Sequence, residues 1–283
     1  MSKKSDVIKW SPKDTARNIQ IPSSLDHKYS RGTLGVIAGS AQYPGAAVLT
    51  SSAALATGVG ALRFHSSSGL AHLVLHQCPE VIVQPGPVTA WCAGSGISDK
   101  KYSDYTTWLR HRWFTLLHRQ SVPTLLDAGA LYLAGTLDQP TLITPHAGEL
   151  SRLLRSRKID VSSELIEANP REWSQRASQE LGCTVLLKGS RTYIADDTYL
   201  IELPVGTPWL ATAGSGDVLA GIIGALLATN YIEILNEPRK LADIAASGAF
   251  IHNRAALAAS KGGPISASSI VEQCAQTVAT ILK

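Results

Sequence analysis

The 283-residue sequence predicts an α/β fold, with a mostly parallel central sheet covered by helices on both faces. Three observations carry this expectation. Short β-rich runs alternate with longer helical patterns. The runs are almost continuously apolar, as strands buried on both faces must be. Polar or glycine-rich segments follow the runs, at the strand ends where open α/β sheets bind their ligands. No repeat, linker-like tract or low-complexity stretch divides residues 31–283, so one catalytic domain is expected there, preceded by a polar arm over residues 1–30.

The elements follow in order. Residues 34–38 read as a buried strand, and residues 46–57 as a helix rich in Ala, Ser and Thr, whose small side chains permit close backbone packing. Residues 63–65 and 81–83 read as further strands, residues 124–126 as a strand ending at Asp127, and residues 142–143 as one ending at Thr144-Pro145. Residues 185–187 form another. Residues 192–195 and 199–203, separated by Asp196-Asp197, read as a hairpin. From Gly216 onward the apolar period turns helical, over residues 218–227, 241–259 and 268–282.

Composition narrows the function classes. Twenty-six basic against 22 acidic residues leave +4, with no sustained Lys/Arg run and 6% aromatic residues. A nucleic-acid binder shows a concentrated basic stripe or stacking aromatics, so no nucleic-acid partner is expected. Cys78, Cys92, Cys183 and Cys274 are too scattered for a zinc site or a disulfide framework and read as buried free thiols. His65, His72 and His76 lack acidic or thiol companions at ligand spacing, apart from Glu80. The first thirty residues hold no apolar leader segment, and the longest apolar stretch, residues 218–228, is too short to span a bilayer. A cytoplasmic protein without a membrane partner is expected.

The segment Ala211-Thr-Ala-Gly-Ser-Gly-Asp-Val-Leu-Ala-Gly221 carries the strongest chemical signal. Glycines let the backbone approach an anion, and the following helix offers unpaired N–H groups at the positive end of its dipole. Gly214, Ser215 and Gly216 are thus a candidate anion hole. The same dipole is expected to hold Asp217 ionised, ready to take a proton from a hydroxyl. Taken alone, an Asp that merely caps a helix explains the pattern equally well. Further polar segments end strands at Gly39-Ser40, Asp127, Thr144-Pro145-His146 and Lys188-Gly189-Ser190. A lone histidine is more often structural than functional, but the place of His146 after a strand end and before Gly148-Glu149 favours a ligand contact. Lys188 reads either as a phosphate counter-charge or as a solvated strand end.

The Gly214–Asp217 turn matches the Gly-x-Gly-Asp anion hole of ribokinase-like kinases. Arg31–Ser40 and Tyr43–Ala47 resemble the opening of the NAD(P)H-hydrate dehydratases, and Thr144-Pro-His-Ala-Gly-Glu149 resembles their Thr-Pro-His-x-Gly-Glu segment. Lys188-Gly-Ser-Arg-Thr192 resembles their Lys-Gly-x-x-Thr stretch, and Gly262-Gly-Pro-Ile265 recurs near the family's C-terminus. The matches run in family order from about Lys28 to Ile270. The resemblance is to the ADP-dependent (S)-NAD(P)H-hydrate dehydratases, of ribokinase-like three-layer fold.

That resemblance implies a hydro-lyase that restores NADH or NADPH from its (S)-hydrate while ADP, or ATP, is consumed with Mg2+. It implies Asp217 as base and substrate contact, with Ala46, Gly96 and His146 also touching the hydrate. Lys188, Gly189, Ser190, Arg191, Thr192 and Gly216 would bind the nucleotide, and Glu149 would act on the metal through water. Ser95 stands where the family carries Pro in Gly-Pro-Gly. The resemblance further implies a homotetramer and a functional pairing with a separate NAD(P)H-hydrate epimerase. A small-molecule hydroxyl kinase of the same fold (thiazole, pyrimidine or pyridoxal type) is the nearest alternative, and a nucleotide sensor without catalysis is a third.

Overall fold

Nine strands form one sheet in the computed structural model, which describes residues 7–99 and 105–283. In chain order the elements are β1 (Val7–Lys9), α1 (Pro12–Ala16), β2 (Thr33–Ile37), α2 (Pro44–Thr57), β3 (Ala61–Phe64), α3 (Ser68–Gln77), β4 (Ala90–Ala93), α4 (Tyr105–Trp113), α5 (Thr115–Arg119), β5 (Thr124–Leu126) and β6 (Thr141–Ile143). Then come α6 (Ala147–Ser156), α7 (Ser163–Ala168), α8 (Pro170–Leu181), β7 (Thr184–Leu187), β8 (Tyr193–Ala195), β9 (Leu200–Glu202), α9 (Ser215–Thr229), α10 (Tyr231–Asn236), α11 (Lys240–Ser260) and α12 (Ala267–Ile281). The sheet order is β1-β9-β8-β7-β6-β5-β4-β2-β3. β8 runs antiparallel to β7 and β9, and the other pairings are parallel.

Alternation along each strand divides the side chains between two cores. Leu34, Val36, Cys92, Leu125 and Leu142 pack with α2, α3, α9, α11 and α12 on one face. Ile37, Trp91, Leu126, Ile143 and Val185 pack with α5, α6, α7 and α8 on the other. A fully buried Leu or Ile contributes roughly 1.5–3 kcal/mol, so two covered faces stabilise strands whose ladders are only a few pairs long. α9 has 12 of its 15 residues buried, as a helix enclosed by other helices and the sheet must. Its apolar character is therefore that of a core helix. Among the described residues no helix is long and apolar enough to cross a membrane. All four cysteines are free and buried, and burial pushes their thiol pKa values up.

Three local expectations need correction. Of the arm predicted over residues 1–30, residues 1–6 lie outside the described residues, but the part that follows is built into the fold. β1 extends the sheet by pairing with β9, and Lys9 forms an ion pair with Glu202. Trp10 is buried and donates to Thr15 Oγ1 at 3.1 Å, while Asn18 donates to Ser247 Oγ on α11 at 3.0 Å. A three-residue edge strand shows no readable period, because its neighbours and not its own pattern hold it. Residues 81–83, expected as a strand, make one isolated bridge, Ile82 to Arg63. Pro79, Pro85 and Pro87 flank that run and cannot donate to a ladder, and Val83 is exposed. Conversely, β4 (Ala-Trp-Cys-Ala), central in the sheet, was not expected: its two alanines are weak strand formers. The hairpin of β8 and β9 is present as expected.

Candidate active site

Because β2, β4, β5, β6 and β7 are parallel, their carboxyl ends meet at one edge. Backbone bonds continue beyond the strands and tie the end segments together. Gly39 N donates to Ser95 O at 2.8 Å, Asp127 N to Ala93 O at 2.9 Å, and Lys188 N to Pro145 O at 2.9 Å. The end segments of five strands, scattered over some 150 residues of sequence, are thereby adjacent. The N-terminus of α9 faces the same edge: a Cβ on Gly216 would lie 3.7 Å from Lys188 Nζ. Gly214 caps α9 at φ +86°, the left-handed region, which lets the chain turn sharply into the helix, with Ser215 N donating back to Thr212 O at 3.4 Å.

Asp127 is the hub of the site. It is buried, and its carboxylate accepts from Ser95 Oγ at 2.9 Å, Thr144 Oγ1 at 2.9 Å and Lys188 Nζ at 3.1 Å. Ser95 thus supplies a hydrogen bond that the Pro implied at this position by the resemblance could not. Lys188 also lies 3.7 Å from Glu149 Oε2. Burial acts to lower the Lys188 pKa, but the charges of Asp127, Glu149 and Asp217 outweigh it and hold the ammonium above its ordinary value. Asp217 is the third residue of α9, yet its carboxyl is pushed up to about 7. Burial is the main cause and the negative charge of Asp127 adds to it, while Lys188 relieves part. Burial and Asp127 thus act against the stabilisation of the carboxylate expected from the helix dipole, which is worth about 0.3–1 kcal/mol. The result is a carboxylate basic enough to take a proton near neutral pH.

At the start of α6, His146 and Glu149 form a capping box. Gly148 N donates to His146 Nδ1 at 3.1 Å, and His146 N donates to Glu149 Oε2 at 2.8 Å. The cap fixes both side chains at the border between two concavities. A cleft of about 740 Å³ is lined by His146, Lys188, Ser190, Thr192, Ser215 and Gly216, among others. A smaller cavity of about 350 Å³ is lined by Tyr43, Ile97, Asp99, Tyr132, Glu149 and Arg152, among others. Ala46 and Gly96 meet beside Tyr43: a Cβ on Gly96, at φ +66°, would lie 2.2 Å from Ala46 Cβ and 3.1 Å from Tyr43 O.

The structure therefore brings Gly214, Ser215, Gly216, Asp217, Lys188, His146 and Glu149 to one edge, with Ala46 and Gly96 beside Tyr43, a residue that lines the smaller cavity. In the 188–192 segment, Lys188, Gly189, Ser190 and Thr192 line the large cleft. The Arg191 side chain instead bonds Glu202 Oε1 at 2.7 Å, alongside Arg171 and Lys9, so it serves the edge strands. Sequence reasoning left Asp127 unassigned and missed Thr144 as its partner, along with His252 and Asn253, which line the cleft from α11. A strand ending in Asp was visible as a signal for the first. His252 offered only a polar residue in an alanine-rich buried helix.

Residues 34–274 match the model of the NAD(P)H-hydrate dehydratase family. The chain is 40% identical over 238 residues to the bifunctional NAD(P)H-hydrate repair enzyme Nnr of Mycobacterium tuberculosis, covering 79% of this chain and 46% of that protein. It is 32% identical over 249 residues to the ADP-dependent (S)-NAD(P)H-hydrate dehydratase of Neisseria meningitidis, covering 81% and 78%. The chain thus spans about half the length of the bifunctional relatives it matches. A solved ADP/ATP-dependent NAD(P)H-hydrate dehydratase from Bacillus subtilis, co-crystallised with ATP/Mg2+, superposes with TM-score 0.81 at 23% identity, covering 98% of this chain and 99% of that one. At that identity the superposition speaks for the fold alone, which is ribokinase-like.

Proposed function

This chain belongs to the NAD(P)H-hydrate dehydratase family, and from that premise we propose that it dehydrates the (S)-hydrate of NADH or NADPH at the expense of ADP. The carrying observation is Asp217, with its pKa raised to about 7, set in the first turn of α9 beside the Lys188 ammonium, which lines the large cleft. The larger cleft, which His146 also lines, suits the nucleotide, and the smaller cavity, whose Tyr43 adjoins Ala46 and Gly96, suits the hydrated ring.

In this reading Asp217 takes the proton of the ring hydroxyl as its oxygen attacks the β-phosphorus of ADP, and the bond to the bridging oxygen of AMP breaks. The first amides of α9 and Lys188 stabilise the charge on the transferring phosphoryl group. Phosphoryl transfer needs chiefly such positioning and charge compensation. The ring nitrogen lone pair then expels phosphate, and the neighbouring ring carbon loses a proton to restore the double bond. NAD(P)H, AMP and phosphate are released. Lys188, Gly189, Ser190, Thr192 and Gly216 hold the nucleotide, with Arg191 contributing through its backbone.

Among the described residues no group of three or more His, Cys, Asp or Glu is placed to hold a metal ion. Glu149, 3.7 Å from Lys188, is the carboxylate that would hold Mg2+ there through water, and the ion would supply charge neutralisation of the phosphates. The proposal includes a cytoplasmic homotetramer working with an epimerase activity that interconverts the hydrate epimers. Incubation with NADH hydrate, Mg2+ and either ADP or ATP tests the reading. Recovery of reduced-nicotinamide absorbance with AMP and phosphate as products supports it. No recovery with either nucleotide refutes it and turns attention to hydroxyl kinase substrates.

A further inference from the structure

α11 is 21 residues long, rich in alanine, and buried along most of its length. Where it passes behind the N-terminus of α9 it carries His252, which is 5% exposed and lines the large cleft. Its Nε2 lies 3.5 Å from Ser215 Oγ, and Ser215 is the first residue of α9, itself buried. An apolar residue would pack this position without the cost of burying a ring with two polar nitrogens. Chain connectivity does not require the contact either, since the partners are 37 residues apart.

We infer that His252 is a positioning residue of the nucleotide site, which orients the Ser215 hydroxyl towards the terminal phosphate of the bound nucleoside diphosphate. Burial pushes the His252 ring down to about 4, with Lys188 adding to this and the Ser215 backbone opposing it, so the imidazole is neutral at physiological pH. A neutral ring carries one N–H and one bare nitrogen. With its N–H shared between the Ser215 carbonyl and Oγ, it leaves the serine hydroxyl proton free to point at phosphate. It adds no charge next to Lys188, which already supplies one. The hydroxyl then supplements the α9 amides as a donor whose direction is set by a side chain of the neighbouring helix.

The inference rests on the dehydratase reading for the identity of the nucleotide, but its test reads ADP binding directly. Binding of ADP with Mg2+ is measured by calorimetry on the full chain for His252→Phe, His252→Gln, Ser215→Ala and the double variant His252→Phe/Ser215→Ala. One lost hydrogen bond of ordinary strength corresponds to about a tenfold weaker Kd for His252→Phe and for Ser215→Ala. His252→Gln, which keeps a donor, should recover most of the affinity. On the Ser215→Ala background the Phe substitution should cost less than about twofold, because the two residues act through one contact. In turnover assays the KM for ADP should rise with the KM for the hydrate unchanged, a split that general loosening of the core would not produce. Additive losses in the double variant, parallel rises in both KM values, or unaltered ADP affinity in Ser215→Ala overturn the assignment. The last measurement decides even if His252→Phe does not fold. Wild-type protein that binds ADP in this pattern but never restores reduced nicotinamide would overturn the dehydratase reading and leave this assignment standing.

Discussion

Replacing Asp217 with Asn should inactivate the protein and stabilise it at the same time. The native state holds the Asp217 carboxyl at about 7 against an ordinary 3.8, chiefly through burial. A carboxyl whose pKa is raised on folding binds its proton more tightly in the native state, so stability linked to that proton is complete below 3.8 and is lost as pH rises through 7. At pH 8 the wild type has lost all of it. At ~1.4 kcal/mol per tenfold change in proton affinity, the gap sets an upper limit of about 4 kcal/mol. Asn, a neutral isostere, avoids this loss but forfeits about 0.3–1 kcal/mol of helix-dipole attraction; the attraction of Lys188 is already contained in the value of about 7. Residual solvent access to the carboxyl reduces the effect further, leaving a gain of roughly 1–3 kcal/mol at pH 8. With an unfolding entropy of about 2 cal/mol/K per residue, that corresponds to a Tm roughly 2–5 °C higher. Thermal melts of the ligand-free protein at pH 8, 5 and 4 provide the assay. The gain should be largest at pH 8, small at pH 5 and absent at pH 4, where wild-type Asp217 is neutral in the native state as well. An Asn variant less stable than wild type at pH 8, or a gain independent of pH, would falsify the electrostatic account of the site.

Other outcomes follow from the same geometry. Since the base acts only when ionised, kcat/KM for the hydrate should fall about tenfold per pH unit below 7, and a flat profile between pH 5.5 and 7 would remove Asp217 from that role. Lys188→Met deletes the cation that both relieves Asp217 and pairs with buried Asp127, so the acid limb of the rate profile should move to higher pH. Stability in that variant should drop by roughly 3–5 kcal/mol, the usual consequence of leaving a buried charge unpaired, and melts above pH 7 check this. Gly96→Ala would force a methyl to within 2.2 Å of Ala46, so the KM for the hydrate should rise steeply while calorimetric ADP affinity stays near wild type. Equal damage to both ligands would dissociate Gly96 from the hydrate side.

Features that depend on a few neighbouring residues were legible without coordinates. The apolar runs of β5, β6 and β7, the β8–β9 hairpin and the long helices α9, α11 and α12 all stand where periodicity placed them, within a few residues. The Gly214–Asp217 turn could be recognised because a left-handed glycine before a helix is a local property. The His146–Glu149 pair was likewise readable as a unit, and the structure shows why: the two residues cap each other across one turn. Residues 81–83 misled, because three β-branched residues look like a strand until the surrounding prolines are weighed as missing donors.

By itself, the sequence determined the fold class, the sheet edge that carries the chemistry and the family, since these follow from periodicity, chain order and motifs read along the chain. Tertiary structure alone decided the rest. It turned the Arg191 side chain onto Glu202 and away from the cleft, set His252 behind Ser215, and drew β1 into the sheet. Above all it decided the proton affinity of Asp217, which depends on burial and on Asp127, a residue ninety positions away along the chain. Desolvation and Coulomb interactions act through space, and no local pattern of residue types encodes a sum over groups that only folding brings together.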